Sequence, residues 1–552
     1  MEYQTNIHLN QVGYLAKGKK VAILANTNGH FKIVKALDNQ AVFEGESYPA
    51  FGKGTGREVI DEASGDMISY CDFSSVTQEG EYYLELSGQG RSYPFYIGSR
   101  IYAPVKEALL KGLYYQRCGA ALSHESAGDW AHPVCHTGLA KVYLNPEREI
   151  EVSGGWHDAG DYGRYAAPGA ISVADILISY ELYGDAYTDE TGIPESGNGI
   201  SDALDEARVE LEWLLKIQNT ENGGVFHKVT TKQFCGMIMP EAEGEPLYAL
   251  TESAVAAGDF AAVMAMASRI YRKFDEAFAD TMLEAARRAW LWLKDNPDMP
   301  VFINPPDVGT GEYGDPDSRD ERYWAAVELY RVTGEEEYQD YIKNILRTDV
   351  DKTGFGWEQV GGYATFSCLW MEKEGEQVID KTLADRLQKE FLNKAEELLL
   401  TARKDGYMAD IPPRGYRWGS NMDIMNGAQL LILAYFLTGR EEYNQVILDQ
   451  FHYILGRNPV GISYITGTGT HAVNNIHHRP SVADGVEKAV PGLLSGGPNK
   501  GLNDEAAKKL IPVGTPPAKC FIDHTDSYST NEITIYWNTA ALFVAAYIGE
   551  YL

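Results

Sequence analysis

The chain has 552 residues, with 48 basic side chains against 79 acidic ones and a formal charge of −31. Its apolar share of 44% supplies a large core and excludes disorder as the main state. The charge argues against nucleic acid or an anionic membrane as partner, since phosphate binding needs concentrated Lys and Arg, and no stretch approaches 18 uninterrupted apolar residues.

Residues 1–10 lack the basic and apolar regions of a signal peptide. The expectation is a cytoplasmic protein, or a secreted one if a leader has been removed. Up to residue 97, short β-rich runs (20–24, 31–36, 41–46, 67–73, 81–86 and 93–97) recur between Gly, Asn and Asp turn signals. This spacing predicts an N-terminal all-β immunoglobulin-like sandwich over residues 1–97. From residue 98 to 552 the apolar residues recur at three- and four-residue spacing, as in 201–218, 254–273, 278–293, 382–402, 425–437 and 531–551. An all-α domain with long, Gly- and Pro-containing loops at 304–320 and 462–497 follows. Loops of that length in a folded domain usually carry function. Tyr (35) and Trp (10) are abundant, as befits a large core or stacking on the flat faces of sugars, and six scattered Cys make no disulfide framework.

Six segments can carry chemistry. Cys118, Cys135, His136 and His157 are two thiols and two imidazoles, the donor set of a closed structural zinc site. Their spacing is not that of a zinc finger, His124 and His132 compete as ligands, and isolated buried cysteines are the alternative. Residues 154–165 read GGWHDAGDYGRY. Asp158 and Asp161 lie three apart on a glycine-shaped loop, so both carboxylates can address one water as a base pair or a metal site; a solvated Asp/Gly turn is the plainer reading. Two acidic stretches suit calcium without matching an EF-hand: ESGNGISDALDE, with Glu195, Asn198 and Asp202, and GEYGDPDSRDE, with Asp315 and Asp320. Helix capping by Asp202 or Asp320 explains them equally well. TGTGTHAVNNIHHRPS sets His477, His478 and Arg479 side by side in a polar loop. In DHTDSYSTNEITIYWN, Glu532 stands three residues after Ser529. That spacing is a capping box at a helix start, where the dipole favours the anion and opposes a proton-donating role.

Taken together and in this order, the segments resemble glycoside hydrolase family 9, the cellulase family with an N-terminal immunoglobulin-like domain. GGWHDAGDYGRY is similar to its catalytic-base motif, NNIHHRPS to its substrate-binding signature, and NEITIYWN to its catalytic-acid motif. IHLNQVGY, DALDEARVELEWLLKIQ and EYGDPDSRDERYWAAVELY add support. The resemblance implies an (α/α)6 barrel for residues 98–552. It implies Asp161 as general base, Asp158 as a second holder of the water and Glu532 as general acid, with His477, Arg479, Tyr528 and Trp418 contacting sugar. It also implies structural Zn2+ on Cys118, Cys135, His136 and His157, and Ca2+ as a further ion. The expected activity is that of an endoglucanase, inverting cleavage of β-1,4-glucosidic bonds in cellulose or related β-glucans, with acid and base roughly 6.5–9.5 Å apart. His524 and Tyr536 depart from the cellulase wording. An exo-acting β-glucosidase or exo-β-glucosaminidase therefore stays open, as does a catalytically silent carbohydrate-binding protein.

Overall fold

Alternating apolar residues fold the start of the chain into two facing sheets. The strands are β1 (Ile7–His8), β2 (Gly13–Leu15), β3 (Val21–Ala25), β4 (His30–Lys35), β5 (Ala41–Glu46), β6 (Tyr48–Pro49), β7 (Ile68–Asp72), β8 (Gly80–Leu86), β9 (Gly90–Arg91) and β10 (Phe95–Gly98). One sheet runs β1-β3-β7-β6 and the other β2-β10-β8-β4-β5, with β9 on β8. Only β2 and β10 pair in parallel among these. Tyr14, Leu24, Phe31, Ile33, Phe73, Leu84 and Phe95 form the core between them. The computed structural model describes residues 3–50 and 60–552.

Beyond Gly98 the chain is mainly helical, in line with the fold class the sequence led us to expect. Helix Ala254–Tyr271 is long and apolar enough to cross a membrane, but it is 94% buried within the protein and serves as a core helix. Ser253 caps its first turn by accepting from the Ala256 amide at 3.1 Å. Asp275 does the same for helix Glu276–Asp295, and Gly334, left-handed at φ 68°, ends helix Arg319–Thr333.

Helical periodicity did not announce a small sheet inside this region. It comprises β11 (Ala140–Val142), β12 (Asn145–Ile150), β13 (Arg164–Tyr165), β14 (Lys228–Thr230) and β15 (Tyr248–Ala249), in the order β12-β11-β15-β14-β13. Its antiparallel β13–β14 register sets Tyr165 opposite Lys228.

The last helix differs from the sequence expectation. Instead of one helix over 531–551, a single turn, Tyr528–Asn531, is followed by helix Ile535–Tyr551. Glu532 lies between them in an extended conformation (φ −74°, ψ 163°). Thr534 is the true N-cap, accepting from the Trp537 amide. The Ser529–Glu532 capping box is therefore not formed.

The chain divides into two units. The first holds residues 1–112, 396–435 and 440–552; the second holds 113–395 and 436–439. In the first unit the sandwich is fastened to the later segments. Tyr102 Oη donates to Gly13 O at 2.7 Å, Asp61 Oδ1 accepts from the Gly406 amide at 2.8 Å, and Lys519 Nζ reaches Asp66 Oδ1 at 2.6 Å.

Candidate active site

The second unit carries the carboxylate pair. Loop 153–165 is drawn tight by hydrogen bonds from both sides. The Asp158 amide donates to Gly163 O, the His157 amide to Gln116 O and the Cys118 amide to Gly155 O. Beneath them, Glu210 Oε2 accepts from the Trp156 amide at 2.7 Å, and Glu206 Oε2 from the Trp156 indole at 3.1 Å. Gly155 sits at φ 72°, where a Cβ would meet the Trp213 ring at 2.8 Å, so no other residue fits without displacement.

Each carboxylate receives a tyrosine hydroxyl. Tyr313 Oη donates to Asp158 Oδ2 at 2.6 Å, and Tyr165 Oη to Asp161 Oδ2 at 3.4 Å, beside the Gly163 amide at 2.9 Å. Both carboxylates are buried. Burial, followed by the negative charge of Asp161, holds the Asp158 carboxyl well above the usual carboxylate range. Asp158 is thereby disposed to keep its proton, next to a second buried carboxylate on the same loop. Tyr313 escaped the sequence reading because it lies 155 residues from Asp158. Only its place in a Gly-rich loop hinted at a role.

Next to this loop, Cys118, Cys135, His136 and His157 converge, one ligand atom of each lying within 4.8 Å of the others. His157 Nε2 stands 3.3 Å from His136 Nδ1 and 3.9 Å from Cys135 Sγ. Tetrahedral zinc, with bonds of about 2.1 Å to nitrogen and 2.3 Å to sulfur, separates its ligand atoms by about 3.4–3.8 Å, so the set fits. His136 turns its other nitrogen, Nε2, to Glu243 Oε2 at 2.9 Å, the outer-shell carboxylate that orients ligating histidines. His124 and His132, the competing ligands, stand outside this group.

Two acidic groups also form in this unit. Asp189, Asp202 and Asp205 make one. Of the sequence candidates there, Asp202 belongs to it and Asn198 donates to Asp205 Oδ2 at 3.0 Å, whereas Glu195 turns away to a bidentate contact with Arg117 at 3.0 and 2.8 Å. Asp315, Asp320 and Glu321 make the other. Burial, then mutual repulsion, pushes Glu321 and neighbouring Asp259 well above the carboxylate range, while burial lifts Asp315 to about 6 and Asp320 to about 7. Neither Asp259 oxygen has a hydrogen-bond partner among the described residues, which suits a cation.

The first unit carries the other candidates. The His477 amide donates to Asn531 O at 2.9 Å, and the Gly496 amide to Glu532 O at 2.8 Å, which fixes the extended backbone at Glu532. His477 Nδ1 lies 2.7 Å from Thr525 O, so it carries the proton. Burial lowers the pKa of this ring, favouring its neutral form. Trp418 and Tyr528 present exposed rings 5.3 Å apart, and His477 lies 5.8 Å from Tyr528. Arg479 is buried at the start of helix Arg479–Ala483. Asp523, next to the departing His524, spends its carboxylate on structure: the Asn474 and Asn475 amides and the side chains of Asn475 and Asn531. Asp504 likewise accepts from the Ser529 amide and from the hydroxyls of Ser527 and Ser529, clamping the turn that leads to Glu532. Neither role is encoded in a local motif.

Comparison with known proteins gives one answer along the chain. Residues 102–546 match the model of glycosyl hydrolase family 9, and residues 2–91 match the cellulase N-terminal ig-like domain. A cellodextrinase of Butyrivibrio fibrisolvens is 37% identical, over 98% of this chain and 99% of its own. The structure of AaCel9A in complex with cellobiose-like isofagomine is 36% identical and superposes with a TM-score of 0.91, over 99% of this chain and 100% of that one. A zinc-binding triple mutant of the family 9 endoglucanase J30 is 30% identical with a TM-score of 0.89, over 97% and 99% of the two chains.

Proposed function

The chain belongs to glycosyl hydrolase family 9, and on that premise we propose that it is an inverting hydrolase of β-1,4-glucosidic bonds, acting on soluble cello-oligosaccharides and related β-glucans. Asp161 serves as the base that deprotonates the attacking water, and Asp158 holds the same water. Glu532 protonates the departing oxygen. His477, Arg479, Tyr528 and Trp418 bind the sugar beside the cut. The observation that carries this reading is the pair of buried carboxylates on one glycine loop, each receiving a tyrosine hydroxyl. The preference for oligosaccharides rests on likeness to a cellodextrinase.

Zinc on Cys118, Cys135, His136 and His157 belongs to the same proposal. It is a structural ion whose role is to pin the carboxylate loop through His157. Calcium is assigned to Asp189, Asp202 and Asp205, and to Asp315, Asp320 and Glu321. Metal analysis of the purified protein should find about one zinc per chain, and stripping it with a strong chelator should lower the melting temperature. A metal-free protein with unchanged melting would remove zinc from the assignment.

Reducing-sugar release from cello-oligosaccharides, carboxymethyl cellulose, barley glucan and chitosan oligomers tests the activity. Proton NMR should show the α-anomer as first product of a β-linked substrate. Asp161→Asn and Glu532→Gln should each cut turnover by about 10²–10⁴-fold with the fold intact. Near-parental turnover by Glu532→Gln on an unactivated substrate would end its assignment as acid. Release from chitosan alone would move the substrate to glucosamine oligomers.

A further inference from the structure

A buried lysine lies behind the carboxylate pair, in a segment that the proposed mechanism does not use. Lys228 opens β14 and is fully buried. Its three ammonium protons meet three good acceptors: Asn304 Oδ1 at 2.7 Å, Thr310 Oγ1 at 3.0 Å and Gly311 O at 2.5 Å. All three oxygens are neutral and all belong to one loop. Burying an ammonium among neutral oxygens is costly, and a methionine would fill the volume without that cost.

The loop it grips ends at Tyr313, which carries φ 48°, a left-handed conformation that a non-glycine residue holds only when its surroundings enforce it. Tyr313 is also the residue that hydrogen-bonds Asp158, and its ring packs on Tyr165 with centroids 4.8 Å apart. Tyr165 is the cross-strand partner of Lys228, its ring lies 5.6 Å from Nζ, and its hydroxyl reaches Asp161. Gly311 approaches so closely that a Cβ there would come within 3.0 Å of the Tyr165 hydroxyl. Both tyrosines therefore pack against the loop that the one ammonium group holds.

We propose that Lys228 is a positioning residue for the hydrolytic water, fixing the Tyr313 and Tyr165 hydroxyls, and through them Asp158 and Asp161, while placing a positive charge behind Asp161. This rests on the reading of Asp161 as general base. The charged and titratable neighbours of Lys228 are Asp161 and Glu312, whose attraction favours the ammonium, together with His227 and Tyr165. Burial outweighs that attraction and brings the lysine down to about 7. Asp161 in turn faces Lys228, Asp158 and Tyr165.

The test is Lys228→Met, with kcat, KM and the pH profile of kcat/KM measured on cello-oligosaccharides per mole of folded protein. Expected are a fall in kcat of about tenfold or more, KM within about twofold of the parent, and an acid limb displaced to higher pH, because the cation no longer favours the Asp161 anion. A purely structural lysine would lower the melting temperature, yet leave kcat per folded molecule and the acid limb in place. That result overturns the proposal. If the Met variant does not fold, Lys228→Gln, which keeps a hydrogen-bond donor but carries no charge, is read by the same two criteria. Asp161→Asn runs alongside. An active Asp161→Asn sinks the base assignment itself, whereas an inactive one beside a parent-like Lys228 variant sinks only the role of the lysine.

Discussion

At the scale of single residues, the loop holding the carboxylates has little tolerance for added atoms. A Cβ on Gly163 would fall 2.7 Å from Asp161 Oδ2 and 2.5 Å from the Tyr165 hydroxyl. The groups that must give way are the Asp161 carboxylate, the base of the proposed mechanism, and its Tyr165 donor. Gly163→Ala should therefore lower kcat by about tenfold or more while shifting the melting temperature little, since a small displacement of reacting groups is expensive in rate. Gly169 offers the contrast. Its Cβ would lie 2.1 Å from Glu210 Oε1, a carboxylate committed to holding the Trp156 amide. Gly169→Ala should lower the melting temperature first. Thermal melts and steady-state kinetics on the two variants separate the cases, and a Gly163→Ala enzyme with parental kcat would show that the Asp161–Tyr165 contact is dispensable.

At the scale of elements, β14 and the loop it grips form a unit with its own pH sensitivity. His227 is buried, stacked on Phe302 with centroids 3.8 Å apart and hydrogen-bonded to Ser253 Oγ and Glu312 O. Burial brings its pKa down to about 3, against about 6.5 in an unfolded chain. Between those values the unfolded state binds the extra proton, so stability is full above pH 6.5 and declines as the pH falls toward 3. At pH 4.5 the deficit is about 2–3 kcal/mol. His227→Gln should flatten the drop in denaturation midpoint between pH 7 and pH 4.5, and an unchanged drop would place the acid sensitivity elsewhere. The sequence was silent about this element because β13, β14 and β15 are two or three residues long, too short for alternation to register. The same limit hid β1, β2, β6 and β9, while the five- to seven-residue strands β3, β4, β5, β7 and β8 stood out; six-residue β12 was missed because it is mostly polar and exposed. Asp158 and Asp161 were legible because their motif is local, whereas Tyr313 and Lys228 reach them only through the fold. Glu532 misled in the opposite direction. Ser529 and Glu532 have capping-box spacing, yet Ser529 is held by Asp504 and the helix restarts at Thr534.

At the scale of the whole molecule, the first unit joins the two ends of the sequence, with the sandwich as part of one folded body with residues 396–435 and 440–552. The joint is polar and buried. Asn10 Nδ2 lies 2.9 Å from His452 Nδ1, Tyr70 Oη donates to Gly406 O at 3.0 Å, and Tyr407 Oη donates to Asp66 Oδ2 at 3.0 Å. Asp66 is 1% exposed, and its countercharge is Lys519, arriving at 2.6 Å from a segment 453 residues away. Lys519→Met would leave that carboxylate buried with only neutral donors. Removing one member of a buried pair costs about 3–5 kcal/mol, and the partial exposure of Lys519 places this one at or below the lower end. If the sandwich and the later helices of this unit form one cooperative body, the variant should shift a shared calorimetric transition downward. Separate melting, with the sandwich transition moving and the other staying in place, would show instead that the N-terminal domain is a passenger whose contacts add little to the later helices of this unit.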